Sequence, residues 1–127
     1  MQIAESGEMY LESILVLRQQ RGQIRAIDIV NHTGYSRPSI SRAMSILKKD
    51  GFIICDEAGY ITLTPQGNDI ALRMYERHKF LTKFLVSLGV GEENATLDAC
   101  KIEHIISEES FLKIKDHAHS LLNITDL

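Results

Sequence analysis

A cysteine, a glutamate and a histidine lie within five positions of one another in the second half of the chain. Cys100, Glu103 and His104 fall in the segment 95–107, which contains neither Pro nor Gly and is predicted to be helical. Residues three and four positions apart share a helix face, so these side chains are expected to point the same way. Thiolate, carboxylate and imidazole all bind divalent transition metals. The run is therefore a candidate metal site, and the alternative is a core cysteine beside a solvated glutamate and a packed histidine.

A second pair of candidate donors lies near the start of the chain. Residues 5–21 have the apolar periodicity of an amphipathic helix that ends at Gly22. Met9 and Glu12 are three positions apart on it and place a thioether and a carboxylate on one face. From the residues alone, a core methionine and a solvated glutamate are the favoured interpretation of this pair.

The following segments predict a helix-turn-helix. A short helix, 26–32, precedes a turn around Gly34, and a longer helix begins at the N-cap Ser36 and ends near Asp50. In such a motif the second helix enters the major groove of DNA, with its N-terminal residues at the base edges. Hydroxyls, arginines and first-turn N–H groups suit phosphates and guanine. The candidate DNA-binding residues are Arg25, Ser36, Arg37, Pro38, Ser39, Ser41 and Arg42.

The pattern then changes from helical to strand-like. Residues 52–55 and 60–64 are rich in β-prone residues and flank a four-residue turn, 56–59, that ends in Gly. A hairpin directly after a recognition helix is the wing of a winged helix. Cys55 is expected to be an ordinary strand residue.

Helices are predicted for the rest of the chain. One is capped by Thr64 and runs from Pro65 to about Leu88, and the last runs from Glu108 to Leu122, with His117 and His119 exposed. The predicted fold is mainly α. A winged helix-turn-helix domain with three helices and a β-hairpin wing, residues 1–64, precedes a helical domain, residues 65–127.

Composition and charge narrow the classes of function. The 127 residues are 44% hydrophobic and carry a net charge of −3, which is enough apolar content for a packed core. Seven basic and seven acidic residues precede position 65, whereas seven basic and ten acidic residues follow it, so a DNA-contacting front half and a cation-binding back half are compatible with the charges. No segment has the length and apolarity of a membrane span, and two distant cysteines indicate no disulfide framework, so a cytoplasmic protein is expected.

Four short motifs occur in one order along the chain. They are Met9-Tyr10-Leu11-Glu12, Thr62-Leu63-Thr64-Pro65-Gln66-Gly67, Arg77-His78, and the run from Cys100 to Glu108. Together they resemble the diphtheria toxin repressor family of metal-dependent transcriptional regulators, which has iron-type and manganese-type branches. The resemblance extends from about Glu8 to His117 and implies a two-domain form without the SH3-like third domain.

The resemblance implies a dimeric repressor with a metal site between a DNA-binding half and a dimerisation half. Metal ligation is implied for Met9, Glu12, His78, Cys100, Glu103 and His104, which reverses the interpretation of Met9 as a core residue. Thr82 and Thr96 stand where iron-type members carry an additional ligand set, and that set is incomplete here. The metal-loaded dimer is expected to bind a palindromic operator and to control metal-homeostasis genes.

The chemical types of the donor atoms indicate which metal ion is expected. Manganese-type members carry carboxylates where Met9 and Cys100 stand and a glutamate that matches Glu12. Because soft donors disfavour Mn(II), Fe(II) is the expected ion, with Mn(II) second and Zn(II) or Co(II) able to bind in vitro.

Two other classes of function are open to the sequence. A winged-helix regulator could sense redox state or a small ligand, with Cys100 as the thiol. An enzyme with Cys100 as nucleophile and His104 as base would also need an orienting group and oxyanion donors, and none can be placed. The chain is therefore expected not to be an enzyme.

Overall fold

A computed structural model describes residues 4–121 of the chain, which form two compact units, one up to Leu72 and one from Arg73. The elements are α1 (Glu5–Arg21), α2 (Ala26–Thr33), α3 (Arg37–Lys49), β1 (Ile53–Cys55), β2 (Ile61–Leu63), α4 (Pro65–Ser87), α5 (Glu92–Ile105) and α6 (Glu108–Leu121). Three helices, a hairpin and three further helices confirm the predicted fold class. The predicted division at residue 64 stays a prediction, and residues 1–3 and 122–127, including Leu122, lie outside the described range.

In the first unit, a sharp turn separates α2 from α3. Gly34 ends α2 in the left-handed conformation, with φ 79°, which a glycine adopts without the steric cost that a side chain would add. Ser36 then caps α3, because its side-chain oxygen accepts a hydrogen bond from the Ser39 N–H at 3.3 Å. Pro38 lies in the first turn of α3, where its missing N–H leaves no helical hydrogen bond unmade. The N-cap predicted from the sequence is confirmed.

The wing is a short antiparallel hairpin. β1 and β2 pair with Ile53 opposite Leu63, and the Tyr60 N–H donates to the Asp56 carboxylate at 2.9 Å across the turn. The Ile61 N–H also donates to the Ile24 carbonyl at 2.9 Å, so the loop before α2 is bonded to the outer side of β2. Cys55 is a half-buried residue of β1, as predicted.

Buried apolar side chains hold these elements together. The buried residues come from every element of the first unit, including the first turns of α4. They include Leu11, Ile14, Ile24, Ile29, Ile40, Met44, Phe52, Ile61 and Ile70.

The start of α4 is fixed against the hairpin. The Thr64 hydroxyl donates to the Gly51 carbonyl at 2.7 Å and accepts from the Gly67 N–H at 3.1 Å, which confirms Thr64 as the cap. A Cβ at position 67 would collide with the carbonyl of Phe52, so only glycine fits there.

The second unit has its own core. Phe80 and Leu81 of α4, Ala99 of α5, and Phe111 and Ala118 of α6 form one buried cluster. The Phe80 ring meets Phe111 edge-on with centroids 5.5 Å apart. His117 and His119 are exposed on α6, as predicted.

The start of α5 differs from the prediction. The helix begins at Glu92 rather than at Ala95, with Gly91 as its N-cap. Glu92 and Glu93 lie in the first turn, where acidic side chains interact favourably with the helix dipole. Among residues 4–121, no helix is both long and apolar enough to cross a membrane.

Candidate functional site

A buried carboxylate lies at the centre of the second unit. Glu103, in the last turn of α5, is 0% exposed. Its Oε2 is 3.0 Å from Nδ1 of His78 on α4, and its Oε1 is 3.2 Å from Nε2 of His104. Three of the six predicted metal ligands therefore lie together. Glutamate is rarely buried in proteins, and here the buried Glu103 makes both of these contacts.

Arg77 holds the end of α5 that carries Glu103 and His104. One guanidinium nitrogen donates to the backbone carbonyls of Glu103 and Ile106, at 3.0 and 2.9 Å. The other terminal nitrogen donates to the Glu108 carboxylate at the start of α6, at 2.9 Å. The last carbonyls of a helix lack intrahelical partners, so this arginine satisfies them and fixes the turn into α6.

The donor chemistry of this cluster fits a divalent transition metal. A carboxylate and two imidazoles are ligands for first-row ions, and imidazole binds metals through an unprotonated nitrogen. A proton on Nδ1 of His78, donated to Glu103, leaves Nε2 of His78 with its lone pair. Hydrogen bonding of this kind orients metal-binding histidines in proteins.

Cys100 lies in a different environment from the other two donors of its helix. It is exposed, whereas Glu103 is fully buried and the side chain of His104 is 4% exposed. The shared face predicted for the three residues therefore extends from the solvent edge of α5 to the interior. A ligand role for Cys100 remains a prediction.

The remaining two predicted ligands are on α1, in the first unit. Met9 and Glu12 are both half-buried. The Sδ atom of Met9 is 4.0 Å from the hydroxyl of Tyr35, which accounts for one contact of its sulfur within that unit. Their ligand roles remain predictions, as do those of His78, Glu103 and His104.

The start of α3 presents the predicted DNA-binding residues to solvent. Ser36, Arg37, Pro38, Ser39, Ser41 and Arg42 are all exposed. The Ser36 hydroxyl also donates to Oγ of Ser39 at 2.9 Å, so these two hydroxyls are bonded to each other at the cap. Arg37, Ser41 and Arg42 project from a helix whose opposite face, with Ile40, Met44 and Leu47, is buried.

Arg25 is attached to the wing. Its guanidinium carbon lies 4.4 Å from the centroid of the Tyr60 ring, in a cation–π arrangement. This arginine and the exposed residues of α3 all belong to the first unit. Residues of one unit can contact the same DNA duplex together.

The contacts that Arg77, Tyr35 and Tyr60 make with the candidate site residues were not predicted from the sequence. A signal existed for Arg77, because it lies in the same helical stripe as Met74 and Leu81, both of which are buried. An arginine on an apolar stripe is expected to be buried and paired. No comparable signal exists for the tyrosines, whose contacts join residues distant in sequence.

Comparison with known proteins places the chain in a family. Residues 64–121 match the family model described as "Iron dependent repressor, metal binding and dimerisation domain". The HTH-type transcriptional regulator MntR of Geobacillus kaustophilus is 33% identical over 111 residues, covering 87% of this chain and 79% of the relative.

Two solved structures share the fold. One is the manganese regulator SloR, with a TM-score of 0.79 and 22% identity, of which this chain covers 57%. The other is a manganese-dependent transcriptional repressor in complex with manganese, with a TM-score of 0.78 and 27% identity. Its match covers 87% of this chain and 51% of that structure, so the chain spans about half the length of these solved relatives.

These relatives are transcriptional regulators and not enzymes, in agreement with the expectation that the chain is not an enzyme. The alignment with MntR covers most of both chains. The chain belongs to the diphtheria toxin repressor family of metal-dependent, DNA-binding transcriptional repressors, which dimerise through the domain matched here.

Proposed function

We propose that this protein is a homodimeric repressor that binds a palindromic operator when a divalent metal is held by both of its units. The observation that carries the proposal is the fully buried Glu103, with a histidine nitrogen within 3.2 Å of each oxygen. The proposed ligands are Met9, Glu12, His78, Cys100, Glu103 and His104.

The mechanism follows from where the ligands lie along the chain. Met9 and Glu12 belong to α1 of the DNA-binding unit, and the other four ligands belong to α4 and α5. Ligation by both sets restricts the arrangements that the two units can adopt. In a two-fold dimer, this restriction selects the spacing at which both α3 helices enter successive major grooves. Population shifts of this kind couple two binding sites by about 1–3 kcal/mol.

Fe(II) is the metal that the donor types favour. The proposed set contains a thioether and a thiolate, and sulfur donors suit Fe(II) better than Mn(II). Mn(II) is a second candidate, because a solved relative at 27% identity is a manganese-dependent repressor in complex with manganese.

The double variant Met9→Glu and Cys100→Asp tests the metal preference. Glutamate resembles methionine in length and aspartate resembles cysteine, so the exchange replaces sulfur by oxygen with little change in size. We expect the ratio of Fe(II) to Mn(II) affinity to fall by about tenfold or more, because hard oxygen ligands suit Mn(II). Metal affinities are measured anaerobically by competition with a chelator, in the absence of DNA. An unchanged ratio would show that neither sulfur atom binds the metal.

Metal-dependent DNA binding is the direct test of function. Duplexes are selected from a random pool by the metal-loaded protein, and affinity for the selected duplex is then measured with Fe(II), Mn(II), Zn(II) or a chelator. We expect tight binding with Fe(II) or Mn(II) and weak binding with the chelator. Equal affinity in all conditions would favour a regulator that does not respond to metals.

Arg42→Ala tests the recognition surface. Arg42 is exposed on α3, and a base or phosphate contact by arginine contributes about 1–3 kcal/mol to DNA affinity. We therefore expect a roughly tenfold loss or more in DNA affinity and no change in metal affinity. The matched control is Arg18→Ala, which removes the same charge from the exposed end of α1. Equal losses in the two variants would indicate a general charge effect only.

A further inference from the structure

Tyr35 contacts two residues of α1 and directly precedes the cap of α3. Its hydroxyl lies 4.0 Å from Sδ of Met9, and its ring meets Tyr10 edge-on with centroids 6.2 Å apart. The next residue in the chain, Ser36, is the N-cap of α3. Tyr35 therefore joins α1 to the start of the recognition helix by side-chain contacts.

The backbone around Tyr35 is defined on both sides. Its N–H donates to the Thr33 hydroxyl at 3.2 Å, and that hydroxyl donates to the Ile29 carbonyl at 2.8 Å. Gly34, immediately before it, has the positive φ that ends α2. The backbone at Tyr35 is therefore held by hydrogen bonds on the α2 side and by the α3 cap on the other, while its side chain is 48% exposed.

The contact with Met9 involves the atom that is proposed to bind metal. A thioether sulfur is a weak hydrogen-bond acceptor on a flexible side chain with three rotatable bonds. The Tyr35 hydroxyl, 4.0 Å from Sδ, is placed to donate a hydrogen bond to this sulfur.

We propose that Tyr35 is a positioning residue that orients the Met9 thioether and transmits its state to the start of α3. This inference rests on the proposed function, because it takes Met9 as a metal ligand and α3 as the DNA reader. It assigns to Tyr35 part of the coupling between metal binding and DNA binding, distinct from any DNA contact of its own.

The variant Tyr35→Phe tests this role, since it removes the hydroxyl and keeps the ring against Tyr10. DNA affinity of the full chain is measured with Mn(II) and with a chelator, and metal affinity is measured without DNA. We expect the enhancement of DNA affinity by Mn(II) to fall about threefold to tenfold, while affinity in the chelator stays within about twofold. The control is Tyr75→Phe, which removes a hydroxyl from a ring that packs against Lys79 on α4, and it is expected to leave the enhancement unchanged.

A second measurement needs no metal. In metal-free protein labelled at its four methionine methyl groups, Tyr35→Phe is expected to shift the Met9 resonance and Tyr75→Phe is not. An unshifted Met9 signal or an unchanged enhancement would overturn the proposal. Equal loss of DNA affinity with and without Mn(II) would instead make Tyr35 a DNA contact and would also overturn it.

A different result is expected if the proposed function, and not only the role of Tyr35, is wrong. Wild-type protein whose DNA affinity does not respond to any metal would contradict the proposed function and, with it, the coupling role. The Met9 methyl shift would in that case still report the Tyr35 contact.

Discussion

Replacing Glu103 with glutamine is expected to abolish the metal response of DNA binding. Glu103 is fully buried between the nitrogens of His78 and His104, and its carboxylate is an anionic donor at the centre of the proposed site. Loss of groups that merely support a ligand weakens metal binding by about 10- to 100-fold, so loss of the ligand itself is expected to cost about 100-fold or more.

Thermal unfolding with and without Mn(II) measures this effect separately from DNA. A ligand at 100 times its dissociation constant stabilises a folded protein by about 2.7 kcal/mol. We expect Mn(II) to raise the melting temperature of wild-type protein and not that of Glu103→Gln. The metal-free proteins should unfold at similar temperatures, because the glutamine oxygen can still accept a hydrogen bond.

The matched control is Glu109→Gln, at an exposed position on α6. This variant should keep the full stabilisation by Mn(II). If Mn(II) stabilises Glu103→Gln as strongly as Glu109→Gln, Glu103 does not bind the metal and the proposed site is wrong.

Replacing Arg77 with methionine is expected to lower the free energy of unfolding by about 2–4 kcal/mol. The side chain of Arg77 is 8% exposed and donates to the carbonyls of Glu103 and Ile106, which would be left without this donor. An unsatisfied buried acceptor costs about 1–3 kcal/mol. The ion pair with Glu108 adds less than about 1 kcal/mol, because that carboxylate is 57% exposed.

Urea unfolding followed by circular dichroism measures the loss, and Arg73→Met is the control at an exposed position on the same helix. Arg77→Lys should fall between wild type and Arg77→Met, since an ammonium keeps the charge but not the planar fork. If Arg77→Met and Arg73→Met differ by less than about 0.5 kcal/mol, Arg77 does not hold the end of α5.

Local signals in the sequence were sufficient for most of the fold. Gly22 and Gly34 end helices, Ser36 and Thr64 begin them, and the turn before Tyr60 joins two strands, all as predicted. Each of these features depends on residues within a few positions of one another. The start of α5 was placed three residues too late, because a cap at Gly91 uses backbone conformation rather than a side chain.

The residue types of the candidate site were predictable from the sequence, but the burial of these residues and the distances between them were not. Glu103 and His78 are 25 positions apart, and nothing local indicates that α4 and α5 place them 3.0 Å apart. Consecutive residues are separated by about 100° around a helix, so Cys100 and Glu103, three positions apart, point in directions about 60° apart. In the folded chain, Cys100 of α5 is exposed to solvent and Glu103 is buried. The periodicity of the sequence does not indicate which side of α5 the neighbouring helices cover.

The attachment of α4 to the wing affects how the DNA-binding half could be prepared as a separate fragment. A chain cut after Thr64 would lose Gly67, which packs against the Phe52 carbonyl, and Ile70, which is buried with the first unit. Such a truncation would expose apolar surface and invite aggregation. A cut after Leu72 would keep both residues, together with the first two turns of α4.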